Sequence, residues 1–329
     1  ARNEGTKKLA ELVEKNKEVT NSKRSIVMQT LKKAIEECGL KMSDKRTLDL
    51  LPGIVEAIDT GSTGRGTNEF GEGDFDFMVR LDNKVLQNPE QIKQEIKRVL
   101  SATTSPEEET VTGNGDFRYK GVDIQGLIDK VDLDLTFVQR TDEIEYTTEE
   151  CIADRLETIK RNNPEDYKYV VANILLAKKV LKTEGTYKKK SAPSPKEGES
   201  DTRGGLGAVG IENWILQNGG SFEKAARDFL SVSRTCNNLD EFRAKYAIWD
   251  FGENYMAGDN YPHDNFVNNM SEQGYEKMRK ALEDYIKAIE LEGANDTEKK
   301  GLGEIVQEDM SVLNDTTYMI SVENLLAKA

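Results

Sequence analysis

Residues 61–79, GSTGRGTNEFGEGDFDFMV, constrain this chain more than any other segment. A Gly61-Ser62 turn opens it, and Asp74 and Asp76 then alternate with Phe75, Phe77 and Val79. Alternation of period two predicts a strand with one apolar face, so Asp74 and Asp76 project side by side from the other. Acidic residues are depleted in strands, and two held this close repel each other unless a cation sits between them. Their hard oxygens suit Mg2+, with Mn2+ as a substitute, and such ions also bind phosphate oxygens. A small-residue turn that feeds a helix can offer backbone N–H groups to a phosphate. Metal carboxylates beside a phosphate cradle point to phosphoryl or nucleotidyl transfer.

A second segment completes the pattern. Residues 131–138, VDLDLTFV, place Asp132 and Asp134 on one strand face and Val131, Leu133, Leu135 and Phe137 on the other. Two-metal chemistry needs a further carboxylate, from a neighbouring strand, to bridge the ions and orient an attacking hydroxyl. Asp134 is the expected third member of a catalytic set with Asp74 and Asp76. Asp132 is its alternative, and all four are candidate metal ligands.

Composition narrows the partners. The chain has 329 residues, enough for two domains with sizeable cores. It is 32% charged, with a mean hydropathy of −0.66. No run approaches a membrane span, and the charged start of the sequence has no signal-peptide core. Cys38, Cys151 and Cys236 are odd in number and far apart, which fits neither a disulfide framework nor a zinc motif. The expectation is a cytoplasmic, reduced protein that does not enter membranes. A net charge of −14 argues against a long RNA or DNA substrate, because phosphate contacts dominate such binding. It tolerates nucleoside triphosphates escorted by Mg2+. His263 is the sole histidine, without a nucleophile motif, so Ser/His, Cys/His and His/Cys-metal chemistry are excluded.

Element signals divide the chain. Helical spacing covers residues 4–39, with Gly39 as a stop. Residues 44–58 hold a short helix and the lead-in to the Gly-Ser turn. Asn88-Pro89 starts another helix, residues 103–116 read as a polar loop, and FRYKGVDIQG and KVDLDLTFV read as paired strands. From about residue 147 the pattern is helical, interrupted by a Pro/Ser/Lys-rich mobile loop near 188–204. The fold class expected is α+β. A sheet domain with N-terminal helices spans 1–150, and a mainly helical domain spans 151–329, with an active-site cleft between them.

These motifs resemble a known family. GSTGRGT followed by GDFDF, with the later DLDLTF, resembles the DNA polymerase β-type nucleotidyltransferase superfamily. Residues 154–187, 204–229 and 261–271 are similar to the central segments of archaeal class I CCA-adding enzymes. The resemblance implies a polymerase-β-like sheet lobe and Mg2+-dependent nucleotidyl transfer. It implies triphosphate contacts from Gly61, Ser62, Arg65 and Thr67, and from Lys178 and Tyr187, with Lys182 close by as an alternative. One departure matters. Asp264 stands where the CCA-adding enzymes carry an arginine that helps read the incoming base, which argues against tRNA tailing. Size, acidity and the absence here of their tRNA-holding domains favour enzymes similar to the cGAS/DncV-like (CD-NTase) and oligoadenylate-synthase-like group. Those join nucleotides into cyclic or linear second messengers in antiviral defence, and a regulatory protein partner is compatible with that reading. RNA tailing of CCA or poly(A) type is the alternative, followed by transfer to a small-molecule or protein acceptor.

Overall fold

A computed structural model describes residues 4–45, 53–70, 73–81, 88–112, 115–139, 148–183, 205–250 and 265–294. The chain divides into two compact units, one from Lys15–Glu145 and one from Tyr146–Met310 with the residues before Lys15. Among the described residues, no helix is long and apolar enough to cross a membrane.

The first unit is built on a sheet. Helix α1, Glu4–Glu37, ends where Gly39 adopts a positive φ of 78°, a conformation that favours glycine. The strands are β1 (Lys41–Ser43), β2 (Ile54–Asp59), β3 (Asp74–Leu81), β4 (Glu108–Val111), β5 (Phe117–Val122) and β6 (Val131–Gln139). They form a 6-stranded mixed sheet in the order β1-β2-β3-β6-β5-β4. A short helix α2, Ser62–Arg65, follows β2, and α3, Pro89–Thr104, follows β3 with proline in its first turn.

Period-two alternation sets which side of the sheet is covered. Phe75, Phe77, Val79, Phe117, Tyr119, Leu133 and Leu135 bury one face in a single cluster with Val27, Leu31 and Ile35 of α1 and Ile96 and Leu100 of α3. Each fully buried side chain of this size contributes about 1.5–3 kcal/mol relative to leaving it in water. The interleaved residues, including Asp74, Asp76, Asp132, Asp134 and Arg118, lie on the opposite face, half-buried or exposed.

Two sequence expectations change here. Residues 103–116 contain a strand, β4, rather than loop alone; all four of its residues are exposed, so no apolar alternation announces it. The lead-in to the Gly-Ser turn is the strand β2, and the short helix expected before it lies outside the described residues. So do the 188–204 loop, Tyr187, His263 and Asp264.

The second unit is helical. It comprises α4 (Thr148–Asn162), α5 (Pro164–Thr183), α6 (Ala208–Gln217), α7 (Phe222–Ser233), α8 (Leu239–Lys245) and α9 (Glu272–Ala294). Gly219 and Gly220, both at positive φ, end α6. An aromatic core ties α6–α9 together: Trp214 meets Phe222 and Phe229 edge-on, Phe222 stacks on Tyr285, and Phe242 contacts Tyr275. The Trp214 indole N–H donates to the Tyr246 hydroxyl at 2.7 Å.

Candidate active site

The two acidic strands are neighbours. β3 and β6 run parallel with Asp74 opposite Asp132 and Asp76 opposite Asp134. Partners in such a register share a face, so four carboxylates occupy two adjacent rungs, on strands about 4.8 Å apart. Like charges placed directly opposite destabilise a sheet. The arrangement therefore works against stability unless something positive offsets it.

The members of the second pair differ in what they already hold. Asp132 Oδ1 accepts the Gly121 backbone N–H at 2.9 Å, where β5 slips register against β6. That bond makes Asp132 part of the bulge. Asp134 Oδ2 lies 3.5 Å from Arg118 Nε, with a third of its side chain exposed.

The Gly-Ser turn packs directly on the first pair. The Thr60 N–H donates to the Asp76 carbonyl at 2.9 Å. A Cβ at Gly61 would stand 2.6 Å from Asp76 Oδ2 and 2.9 Å from its Cβ, so only glycine permits this approach. The Gly64 and Arg65 N–H groups donate back to the Gly61 carbonyl, the Thr67 N–H donates to that of Ser62, and Gly66 closes α2 at φ 73°. Ser62 is half-buried at the head of the turn. Arg65 is 7% exposed and donates to the Thr60 carbonyl, and Thr67 is fully buried. Both are thus part of the turn's own framework.

A brace that the sequence did not announce holds this turn. Asp59 ends β2 and accepts the Thr63 hydroxyl at 2.8 Å and the Gly61 N–H at 3.2 Å. Arg24 of α1 lies 3.6 Å from Asp59 and donates to the Thr63 carbonyl at 2.7 Å. Asn16 donates to the Asn68 carbonyl, and Asn68 donates to Thr20. The only sequence signal was an aspartate two places before a glycine.

Burial pushes the Asp59 carboxyl up to about 6, against the opposing pull of the Thr63 hydroxyl, the Arg24 guanidinium and the Gly61 N–H, while the Asp76 charge adds to the rise. A carboxyl that binds its proton more tightly folded than unfolded lends stability that is full below its unfolded pKa of about 3.9 and is lost as pH rises through the folded value. In metal-free buffer, the melting temperature should therefore fall between about pH 4 and pH 7, by an amount equivalent to about 3 kcal/mol at most. Asp59→Asn cannot ionise and should lose less stability over that window. Parallel pH profiles for the parent and the variant would remove this account.

Of the residues expected in the helical unit, Lys178 sits on α5 with its ammonium 3.0 Å from Glu212 Oε1; its side chain is 3% exposed and that of Glu212 0%. Burial to that degree is the environment of a structural ion pair. Lys182, one turn on, is exposed.

Among the described residues, no group of three or more His, Cys, Asp or Glu side chains stands ready to hold a metal ion. The acidic face offers carboxylate oxygens, the donor type that hard divalent cations take.

No protein-family model matches the sequence, and no curated protein matches it. Solved structures do resemble it. CdnC of E. coli MS115-1, in its complex with HORMA-deltaN, superposes with a TM-score of 0.51 at 16% identity, over 90% of this chain and 92% of that one. The Cid1 poly(U) polymerase bound to MgATP superposes with a TM-score of 0.56 at 14% identity, over 93% and 99% respectively. The chain has the α+β fold of the polymerase β-type nucleotidyltransferases.

Proposed function

We propose that the chain is a nucleotidyltransferase that joins nucleoside triphosphates into a short cyclic or linear oligonucleotide. The observation that carries this reading is that Asp74 pairs with Asp132 and Asp76 with Asp134 on one sheet face, against a turn whose glycine packs on Asp76. Fold likeness to CdnC, solved in complex with a HORMA protein, and to Cid1, solved with MgATP bound, supports it. A regulatory protein partner follows the first likeness, and a role in defence follows the sequence resemblance to the CD-NTase group. The net charge of −14 favours free nucleotides over an RNA end, which is the alternative.

Carboxylate oxygens are the donor type Mg2+ takes, and Asp74, Asp76 and Asp134 would hold the ion once drawn together around it; it would neutralise phosphate charge and lower the pKa of an attacking hydroxyl. The chain's own groups divide the rest. Ser62 and the Gly61–Gly64 turn receive the triphosphate beside Asp76. The acceptor hydroxyl oxygen forms a bond to the α-phosphorus while the bond from that phosphorus to the β-bridging oxygen breaks. Pyrophosphate leaves, and the hydroxyl proton passes to the Asp134 carboxylate. Arg65 and Thr67 serve this step through the shape of the turn.

Incubation with the four labelled triphosphates and Mg2+ or Mn2+, with products resolved by chromatography and mass spectrometry, tests the reading. A short oligonucleotide is expected. Extension of an added RNA without such a product would favour tailing, and no incorporation into any product would refute nucleotidyl transfer. Gly61→Ala should leave the fold intact but push the turn away from Asp76, because the anchored Asp76 Cβ cannot yield as its carboxylate tip can. A displacement near 1 Å costs about a hundredfold in rate. Turnover within threefold of the parent would show that the contact does not set the site.

A further inference from the structure

The order of strands gives the acidic face a direction. From the turn after β2 it runs through Asp76 on β3 and Asp134 on β6 to Arg118 on β5. Arg118 faces Asp134 in register and lies 3.5 Å from it, on the side away from Asp76. Lys120, two residues along the same strand, is 63% exposed and sits 3.7 Å from Glu108. The face therefore changes sign one strand past the third carboxylate. The triphosphate donor belongs at the turn, on the Asp76 side, so a hydroxyl activated by Asp134 has to approach from the β5 side. There the first side chain beyond Asp134 is a guanidinium, 41% exposed, whose planar fork matches phosphate oxygens.

We propose that Arg118 binds a phosphate of the acceptor and so makes the site specific for acceptors that carry one, such as a nucleotide or the 5′ end of a short oligonucleotide, over phosphate-free hydroxyl compounds. This rests on the nucleotidyl-transfer reading. Without substrate, Arg118 lies against Asp134; with an acceptor in place, the guanidinium turns to the acceptor phosphate and leaves Asp134 to the hydroxyl. Lys120 lies further along the strand and extends the basic strip. The sequence reads FRYKGV as a strand, but nothing in that run marks Arg118 as a ligand.

Donor and acceptor roles can be separated chemically. A 2′,3′-dideoxynucleoside triphosphate has no attacking hydroxyl and serves only as donor. A nucleoside 5′-monophosphate has no pyrophosphate to lose and serves only as acceptor. The experiment compares each monophosphate with its parent nucleoside as acceptor, across the four bases, and measures binding of the labelled monophosphate directly. The parent chain should favour the monophosphate in kcat/KM by about tenfold or more, the scale of one charge-assisted hydrogen bond. Arg118→Gln should erase that ratio through KM for the acceptor, weaken monophosphate binding to match, and retain KM for the donor. Arg118→Lys should restore part of the ratio. A parent that does not distinguish monophosphate from nucleoside would overturn the proposal. So would an Arg118→Gln variant that keeps the ratio and differs only in the Mg2+ it requires, since Arg118 would then act on the carboxylates alone. Transfer to nucleosides with no phosphate preference sinks this inference and leaves nucleotidyl transfer standing, whereas no transfer from any donor sinks both.

Discussion

Asp76→Asn abolishes product formation and metal-dependent triphosphate binding together, while Asp134→Asn abolishes product formation and keeps much of the binding. This is the expected result of a titration and a product assay run on each variant. Asp76 is the carboxylate against the Gly61 turn, so on the proposed reading its charge serves the donor. Asp134 lies one strand further, beside Arg118, on the side from which the proposed acceptor hydroxyl would approach. Removing a proton acceptor of this kind costs about 10²–10⁴ in rate. Asp132→Asn should be mild, because an amide oxygen can still accept the Gly121 N–H that Asp132 now holds. Normal turnover in Asp76→Asn would end the enzyme reading. Loss in Asp132→Asn with normal turnover in Asp134→Asn would exchange the roles of the second pair.

The second large effect is on stability. Lys178→Ala takes the cation from beside a carboxylate that is fully buried. Breaking a buried pair by removing one partner costs about 3–5 kcal/mol, a large share of the net stability of any domain. Trp214 and Trp249 are the two tryptophans of the chain, and both belong to the helical unit, so their fluorescence during urea unfolding follows that unit. The midpoint should drop steeply in Lys178→Ala, and Glu212→Gln in that background should recover part of the loss by removing the stranded charge. If Lys178→Ala unfolds as the parent does but binds triphosphate more weakly, Lys178 is a phosphate ligand, as its resemblance-based role implies, and the ion pair is incidental.

Different parts of the molecule were legible in the sequence to different degrees, for physical reasons. The two acidic strands could be read because each sets carboxylates against an apolar face at period two, a pattern a helix cannot satisfy. The helices α1, α3, α5 and α6 could be read from spacing and from their Asn-Pro or glycine boundaries. β4 could not, because an edge strand with every residue exposed has no apolar face to register. The parallel pairing of β3 with β6 was not deducible from either strand alone. The Lys178–Glu212 pair joins residues 34 apart, and helical spacing says which faces are buried but not which buried charges meet. The same limit hid Arg24: its partners Asp59 and Thr63 come to it through packing, not through local pattern.

The parallel β3–β6 pairing also governs when the acidic cluster can exist. Parallel neighbours cannot be joined by a hairpin, and here α3, β4 and β5 intervene. The entropy of closing that loop has to be met before any contact between the strands rewards it. A nascent or partly refolded chain that has not yet placed β6 holds the turn, Asp74 and Asp76, but lacks the neighbour that pairs with the interior edge of β3. Its Phe75, Phe77 and Val79 then lie along an unfinished edge, the kind of surface that recruits strands from other chains. The pairing that finishes the candidate site is also the one that closes this edge, so the chain loses an exposed strand edge in the same step in which it acquires its third carboxylate.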